Sequence, residues 1–228
     1  MMLIKHLQEK HNQKLQQNKD FYTPSGITVY FKDTIDNEKV DPEKVLAAVE
    51  SKIPVEFLSE IEMIIIGQFD EFEERDINAF YESGTLYITN IQDDNEDMID
   101  DIIHEIAHSL EQPYGLEIYG DNKVKQEFID KRMNLHSILW SMGYKAPKSF
   151  FLETEFEAEF DDYLFKTVGY DKLNVICSGM FITAYAATSL REYFATGFAE
   201  YFLHPDNHSF FQKVSPNLYR KINKIFIN

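Results

Sequence analysis

An α+β fold is what this sequence predicts, and three observations predict it. Strand-like runs are confined to the first hundred residues, helical signals take over after Pro113, and an amphipathic stretch, DDIIHEIAHSLEQP from Asp100 to Pro113, joins the two regimes. In chain order, GITVYF (Gly26 to Phe31) alternates as a half-buried strand does. DPEKVLAAVESKIP opens a helix, with Asp41 as N-cap and Pro42 at the first helical position. EMIIIG (Glu62 to Gly67) is a short apolar β-type run ending on glycine, most simply a central strand. The acidic segment QFDEFEERDINAFYESG reads as a loop, and TLYITNI (Thr85 to Ile91) as a second strand that leads into the amphipathic helix and could flank a cleft as an edge.

Later helices are expected over Val124 to Met142, closing on Gly143, over roughly Glu153 to Lys166, over Leu190 to Leu203, and after Ser215 and Pro216. No repeat or linker-like segment interrupts them. The organisation expected is a polar helical arm over residues 1–20 and a single domain over 21–228, with an α/β front (21–113) and a helical back (114–228).

The 22 Lys and Arg against 39 Asp and Glu leave a formal charge of -17, a field that repels nucleic acid and anionic lipid and favours cationic partners. Nineteen Phe and 13 Tyr supply enough apolar bulk for a packed core, which argues against disorder. No run approaches the ~18 apolar residues of a membrane span, and the N-terminal MMLIKHLQEKHNQKLQQNKD lacks the apolar centre of a secretory signal. The mature chain is therefore expected to start near Met1, and a cytoplasmic, virion-associated or leaderless exported protein all fit. The single cysteine, Cys177, excludes an internal disulfide and reads as a small buried apolar residue.

His104-Glu105-Ile106-Ala107-His108 fits H-E-x-x-H. Two histidines four residues apart stand one turn above each other on a helix, so both reach one metal ion, zinc in this pattern, while the glutamate serves as general base toward water. Ile99, Ile102, Ile103, Ile106, Ala107 and Leu110 form one apolar stripe, which turns the histidines away from the core. Asp93 and Glu96 resemble a capping box, and Asp94, Asp97, Asp100 and Asp101 place negative charge where the helix dipole favours it. A catalytic zinc needs a third protein ligand. The extended H-E-x-x-H-x-x-G-x-x-H signature is absent, since Glu111 and Tyr114 stand at its glycine and last histidine. A later glutamate is the other common solution, and Glu192 opens the segment EYFATGF.

These residues resemble the lethal-factor-like, gluzincin-type metallopeptidases, the family of the anthrax lethal factor catalytic domain. There a glutamate heading an E-aromatic-F-A-x-x-F segment completes the zinc site, and a tyrosine seven residues earlier points into the cleft. Glu192 and Tyr185 occupy those positions. The likeness runs over Thr85 to Leu110 and Tyr185 to Phe202. It implies a zincin-like fold, a small mixed sheet with an edge strand over the active-site helix, followed by a helical C-terminal lobe. Zn2+ would be held by His104, His108 and Glu192, with Glu105 as the base and Tyr185 as hydrogen-bond donor to the oxyanion. One departure stands out: the family carries an acid four residues after the glutamate ligand, where this chain has Thr196, so that Glu200 or Asp101 is left to orient the ligands.

The function expected is zinc-dependent endoproteolysis of an extended polypeptide. The acidic FDEFEERD run and the acidic first turns of the motif helix suggest a substrate rich in Lys and Arg. A catalytically silent module of the same fold, serving a larger assembly, is the alternative. His136 reads as a structural histidine on an apolar helix face, His204 and His208 as loop residues, and His6 and His11 as part of the arm.

Overall fold

A computed structural model describes residues 20–75 and 77–227. The expected arm over residues 1–20 lies outside them except for Asp20. The fold is α+β, with a small mixed five-stranded sheet and a majority of helix. Two compact units divide the chain, the first ending at Ser109 and the second beginning at Leu110.

The first unit holds the sheet. Its strands are β1 (Phe21–Tyr22), β2 (Thr28–Phe31), β3 (Met63–Ile66), β4 (Ala79–Glu82) and β5 (Thr85–Ile88), in the order β1-β2-β3-β5-β4. The inner three are parallel, in a register that aligns Val29, Ile64 and Leu86, and the outer two pair antiparallel. Those three aligned side chains are buried with Ile66 and Ile88, so one face of the sheet is core. Between β2 and β3 runs α1 (Pro42–Lys52), whose N-cap Asp41 accepts the Lys44 N–H at 3.2 Å and whose Val45, Leu46 and Val49 are buried.

The segment expected as an acidic loop is instead a short helix, α2 (Asp70–Arg75), followed by β4. A two-residue turn joins β4 to β5. Ser83 and Gly84 both have positive φ, 49° and 85°, as a type I′ hairpin turn requires. The edge of the sheet is therefore β4, and the expected edge strand, Thr85 onward, is internal, paired on both sides.

The motif helix is α3 (Asn95–Tyr119). Its cap sits one residue later than expected: Asp94 Oδ1 accepts the Asp97 N–H at 3.1 Å, and Asp97 returns the bond by accepting the Asp93 N–H at 3.3 Å. The helix runs through Pro113, whose ring nitrogen has no hydrogen to offer the Ser109 carbonyl. Leu110 and Ile118, either side of that proline, are fully buried, and this packing outweighs the lost bond.

The second unit is helical: α4 (Lys123–Ser141), α5 (Lys148–Leu152), α6 (Ala158–Asp162), α7 (Tyr170–Cys177), α8 (Leu190–Leu203), α9 (His208–Val214) and α10 (Pro216–Phe226). The helix expected from Glu153 begins only at Ala158 and ends in a π turn, Tyr163–Val168. Tertiary partners take the carbonyls that a helix would have used. Glu153 O accepts from Arg132 Nη1 at 2.7 Å, and Thr154 O accepts the Leu190 N–H at 2.8 Å. The Glu153 carboxylate meanwhile accepts the Thr154 N–H, a local bond that competes with helix.

Arg132 is 1% exposed, stacks over Phe160 at 4.2 Å, and also donates to the carbonyls of Phe150 and Thr188. A single guanidinium thus ties α4 to the α5 segment and to the approach to α8. Helix α8 crosses α10 closely at Gly197, where an added Cβ would collide with Leu218 and lie 3.1 Å from the Phe211 ring. Gly197→Ala is expected to cost about 1–3 kcal/mol by overpacking, against roughly 1 kcal/mol gained in helix propensity. Urea denaturation of the two proteins measures the balance.

Near that crossing, Lys131 Nζ donates to Tyr193 Oη and Ser215 Oγ, both at 2.7 Å, and no carboxylate among the described residues pairs with it directly. Burial pushes the ammonium down to about 8, opposed by the charge of Glu127. Below that pH the buried charge costs stability. Between pH 8 and 10 the folded chain sheds the proton first, so the unfolded state binds more protons and stability rises with pH. The gap between wild type and Lys131→Met should therefore shift in favour of wild type by on the order of 2 kcal/mol across that window. Urea midpoints at the two pH values read it. No helix among the described residues is long and apolar enough to cross a membrane.

Candidate metal centre

In the first unit, α3 buries Met98, Ile102, Ile103, Ile106 and Ala107. Met98 takes the place expected for Ile99, which is half-buried. The opposite side carries His104 and His108, half-buried, with ring centroids 5.0 Å apart and planes at 71°. A ligand atom from each of His104, Glu105 and His108 lies within 4.8 Å of the others, close enough to surround one ion. The i, i+4 spacing alone brings the two imidazoles together, because they occupy successive turns of one face.

Glu105 is positioned by more than its helix. It is 9% exposed, and its Oε2 accepts the backbone N–H of Tyr81 on β4 at 3.0 Å. In the antiparallel β4–β5 ladder Tyr81 stands opposite Leu86, while Asn78 O accepts the Thr89 N–H three steps along. By that alternation the Tyr81 N–H points away from β5, at the open edge of the sheet. The Tyr81 hydroxyl fixes the strand further, donating to Glu60 O at 3.1 Å and accepting the Gly84 N–H at 3.2 Å. One turn before His104, burial pushes the Asp101 carboxyl up to about 7, against the Gln92 Nε2 donor at 3.0 Å from its Oδ2. The neighbouring Asp97 and Asp100 raise it further, and His104 lowers it.

Two imidazoles that reach one point are nitrogen donors suited to Zn2+ and poorly suited to Mg2+ or Ca2+, which take oxygen almost alone. The residues present fit zinc on that ground.

The other expected site residues stand in the second unit. Glu192 is the third residue of α8, half-buried, and its N–H donates to the N-cap Ser189 Oγ at 3.1 Å. Ser189 to Glu192 therefore also fits the S-x-x-E pattern of a capping box, a signal present in the sequence. Next to it, Arg191 Nε bonds Glu111 Oε2 at 2.7 Å, so the glutamate that replaces the signature glycine is engaged in an ion pair. Tyr185 opens a short 3-10 turn, Tyr185–Ala187, whose Tyr185 carbonyl accepts from Thr188 Oγ1 at 2.8 Å. Thr196 is buried within α8, and Glu200 lies a turn beyond it.

His136 is buried against Trp140 and Phe151, with Nε2 3.3 Å from Ala146 O. Burial pushes the Cys177 thiol up to about 12, an inert setting. His204 caps the end of α8, but His208, expected in a loop, begins α9, with Nε2 2.8 Å from Tyr201 O. Sequence reasoning missed Tyr81, whose contribution is a backbone N–H that no side-chain pattern announces. No protein-family model, curated protein or solved structure matches the chain.

Proposed function

We propose that this chain is a zinc-dependent metalloendopeptidase of the gluzincin type. The observation that carries the reading is the grouping of His104, His108 and Glu105 on one helix, with Glu105 held by an edge-strand N–H. In this reading His104 and His108 hold the ion, Glu192 supplies the third ligand and Tyr185 donates to the developing oxyanion, as the family resemblance implies. When bound, zinc would supply Lewis-acid polarisation of the scissile carbonyl and a lowered pKa for water.

The protein's own groups do the rest. Glu105 takes the proton of the attacking water and passes it to the leaving amine. The Tyr81 N–H keeps one carboxylate oxygen fixed, so the other faces the reaction. The outward main-chain groups of β4 other than the Tyr81 N–H, which Glu105 takes, are offered to an extended substrate, which adds as a further strand. Acidic residues of α2 and the first turns of α3 favour basic residues in that strand.

The test is metal analysis of the purified chain together with casein cleavage in the presence and absence of a chelator. Stoichiometric zinc and chelator-sensitive cleavage support the reading. Zinc without any turnover assigns a silent module instead. A peptide library at low salt should show faster cleavage beside Lys and Arg, and equal rates throughout would remove the basic preference.

A further inference from the structure

Within the second unit, α4, α9 and α10 border an open groove of about 520 Å3 lined by Lys123, Glu127, Lys131, Lys213 and Asn217. Three lysines around one groove are unexpected in a chain of net charge -17. Their settings differ. Lys213 is exposed, and Lys123 lies 3.8 Å from the Asp121 carboxylate. Lys131 is the one set among aromatic rings, with Nζ 4.7 Å from the Tyr193 ring centroid and 5.4 Å from that of Phe181. Two of its three N–H bonds go to neutral hydroxyls, Tyr193 Oη and Ser215 Oγ.

The carboxylate that shares the Tyr193 hydroxyl with it is already committed. Glu127 accepts from Tyr193 Oη at 2.8 Å, from the Asn217 N–H at 2.7 Å and from the Leu218 N–H at 3.2 Å. It faces the amine through the Tyr193 hydroxyl, as the end of a relay Lys131–Tyr193–Glu127. The remaining acid of the lining, Asp130, accepts from Gln126 Nε2 at 2.8 Å.

An amine with no direct counter-ion among the described residues, flanked by rings and lining an open groove, is the setting in which lysine acts as a nucleophile toward carbonyls. We infer that Lys131 is a reactive amine that forms an imine with a small aldehyde or oxo acid, whose anionic group is held by Lys123 and Lys213. The neutral amine attacks the carbonyl carbon and a C–N bond forms. The carbonyl oxygen departs as water with the two hydrogens of the amine, leaving C=N. The Tyr193 hydroxyl, bonded to both Nζ and Glu127, moves the proton between them. The depressed basicity of Lys131 adds to this, since more of it is neutral at pH 7.5 than of an ordinary lysine.

The experiment uses the full chain with glyoxylate as probe and sodium cyanoborohydride to reduce the imine, followed by intact-mass and peptide mapping. The expected result is one carboxymethyl group per chain, on Lys131, formed at least ~10-fold faster than on any other lysine. Lys131→Arg keeps the charge, cannot form an imine, and should lose that adduct. Lys213→Gln should slow it by weakening the hold on the anion. Labels scattered over exposed lysines in the wild-type map, with Lys131 no faster than the rest, overturn the proposal. That map decides the question even where a variant folds poorly.

Discussion

Glu105→Gln is expected to lower cleavage by about 10^2–10^4-fold while zinc stays bound. The amide is nearly the shape of the carboxylate and can still face the Tyr81 N–H through its oxygen, so the helix, the strand and the two histidines keep their places. What it cannot do is take a proton from water. His104→Ala or His108→Ala should act differently, releasing the metal and the activity together, because each removes a ligand rather than a base. Metal content measured beside turnover separates the two. A Glu105→Gln chain that cleaves as fast as wild type would remove the proposed mechanism.

Glu127→Ala is expected to cost about 3–5 kcal/mol of stability. Its carboxylate, 9% exposed, receives the Tyr193 hydroxyl and the backbone N–H groups of Asn217 and Leu218, the first turn of α10. Pro216 leads that turn and Ser215 precedes it, yet the Ser215 hydroxyl accepts from Lys131. Helix α10 therefore takes its cap from a residue 90 positions earlier. Alanine leaves three donors, two of them in buried bonds, without an acceptor, and it strips Lys131 of the only carboxylate in its relay. Glu127→Gln keeps the oxygen and should cost less. Chemical denaturation of both variants measures the difference, and an alanine variant within 1 kcal/mol of wild type would contradict this account of the cap.

Much of the fold was legible because the signals were local. Asp41 and Pro42 mark the start of α1, the apolar EMIIIG run marks the central strand, and α8 spans Leu190 to Leu203 as its apolar periodicity indicates. Elements fixed by distant partners were not legible. Glu153 looked helical until Arg132, 21 residues away, took its carbonyl. Strand β4 was hidden by acidic neighbours, although the Ser83–Gly84 turn and the buried Phe80 were there to be weighed. Missing it moved the sheet edge onto β5, and with it the surface offered to a substrate.

Of the candidate site, the two imidazoles and Glu105 were readable because helical spacing alone brings them together. The strand that orients Glu105 was not, since its contribution is main-chain. The Lys131–Tyr193–Glu127 relay was not legible either: Glu127 and Lys131 are four apart on α4, but the tyrosine that joins them lies 66 and 62 residues further on.

The measurement closest to the central claim is zinc content, by elemental analysis, of wild type, His104→Ala, Glu192→Ala and Glu105→Gln. One zinc per chain in wild type and Glu105→Gln, with sharply weakened binding in the other two, is the predicted result. Zinc retained by the His104 variant, or absent from wild type refolded with the metal, would contradict it.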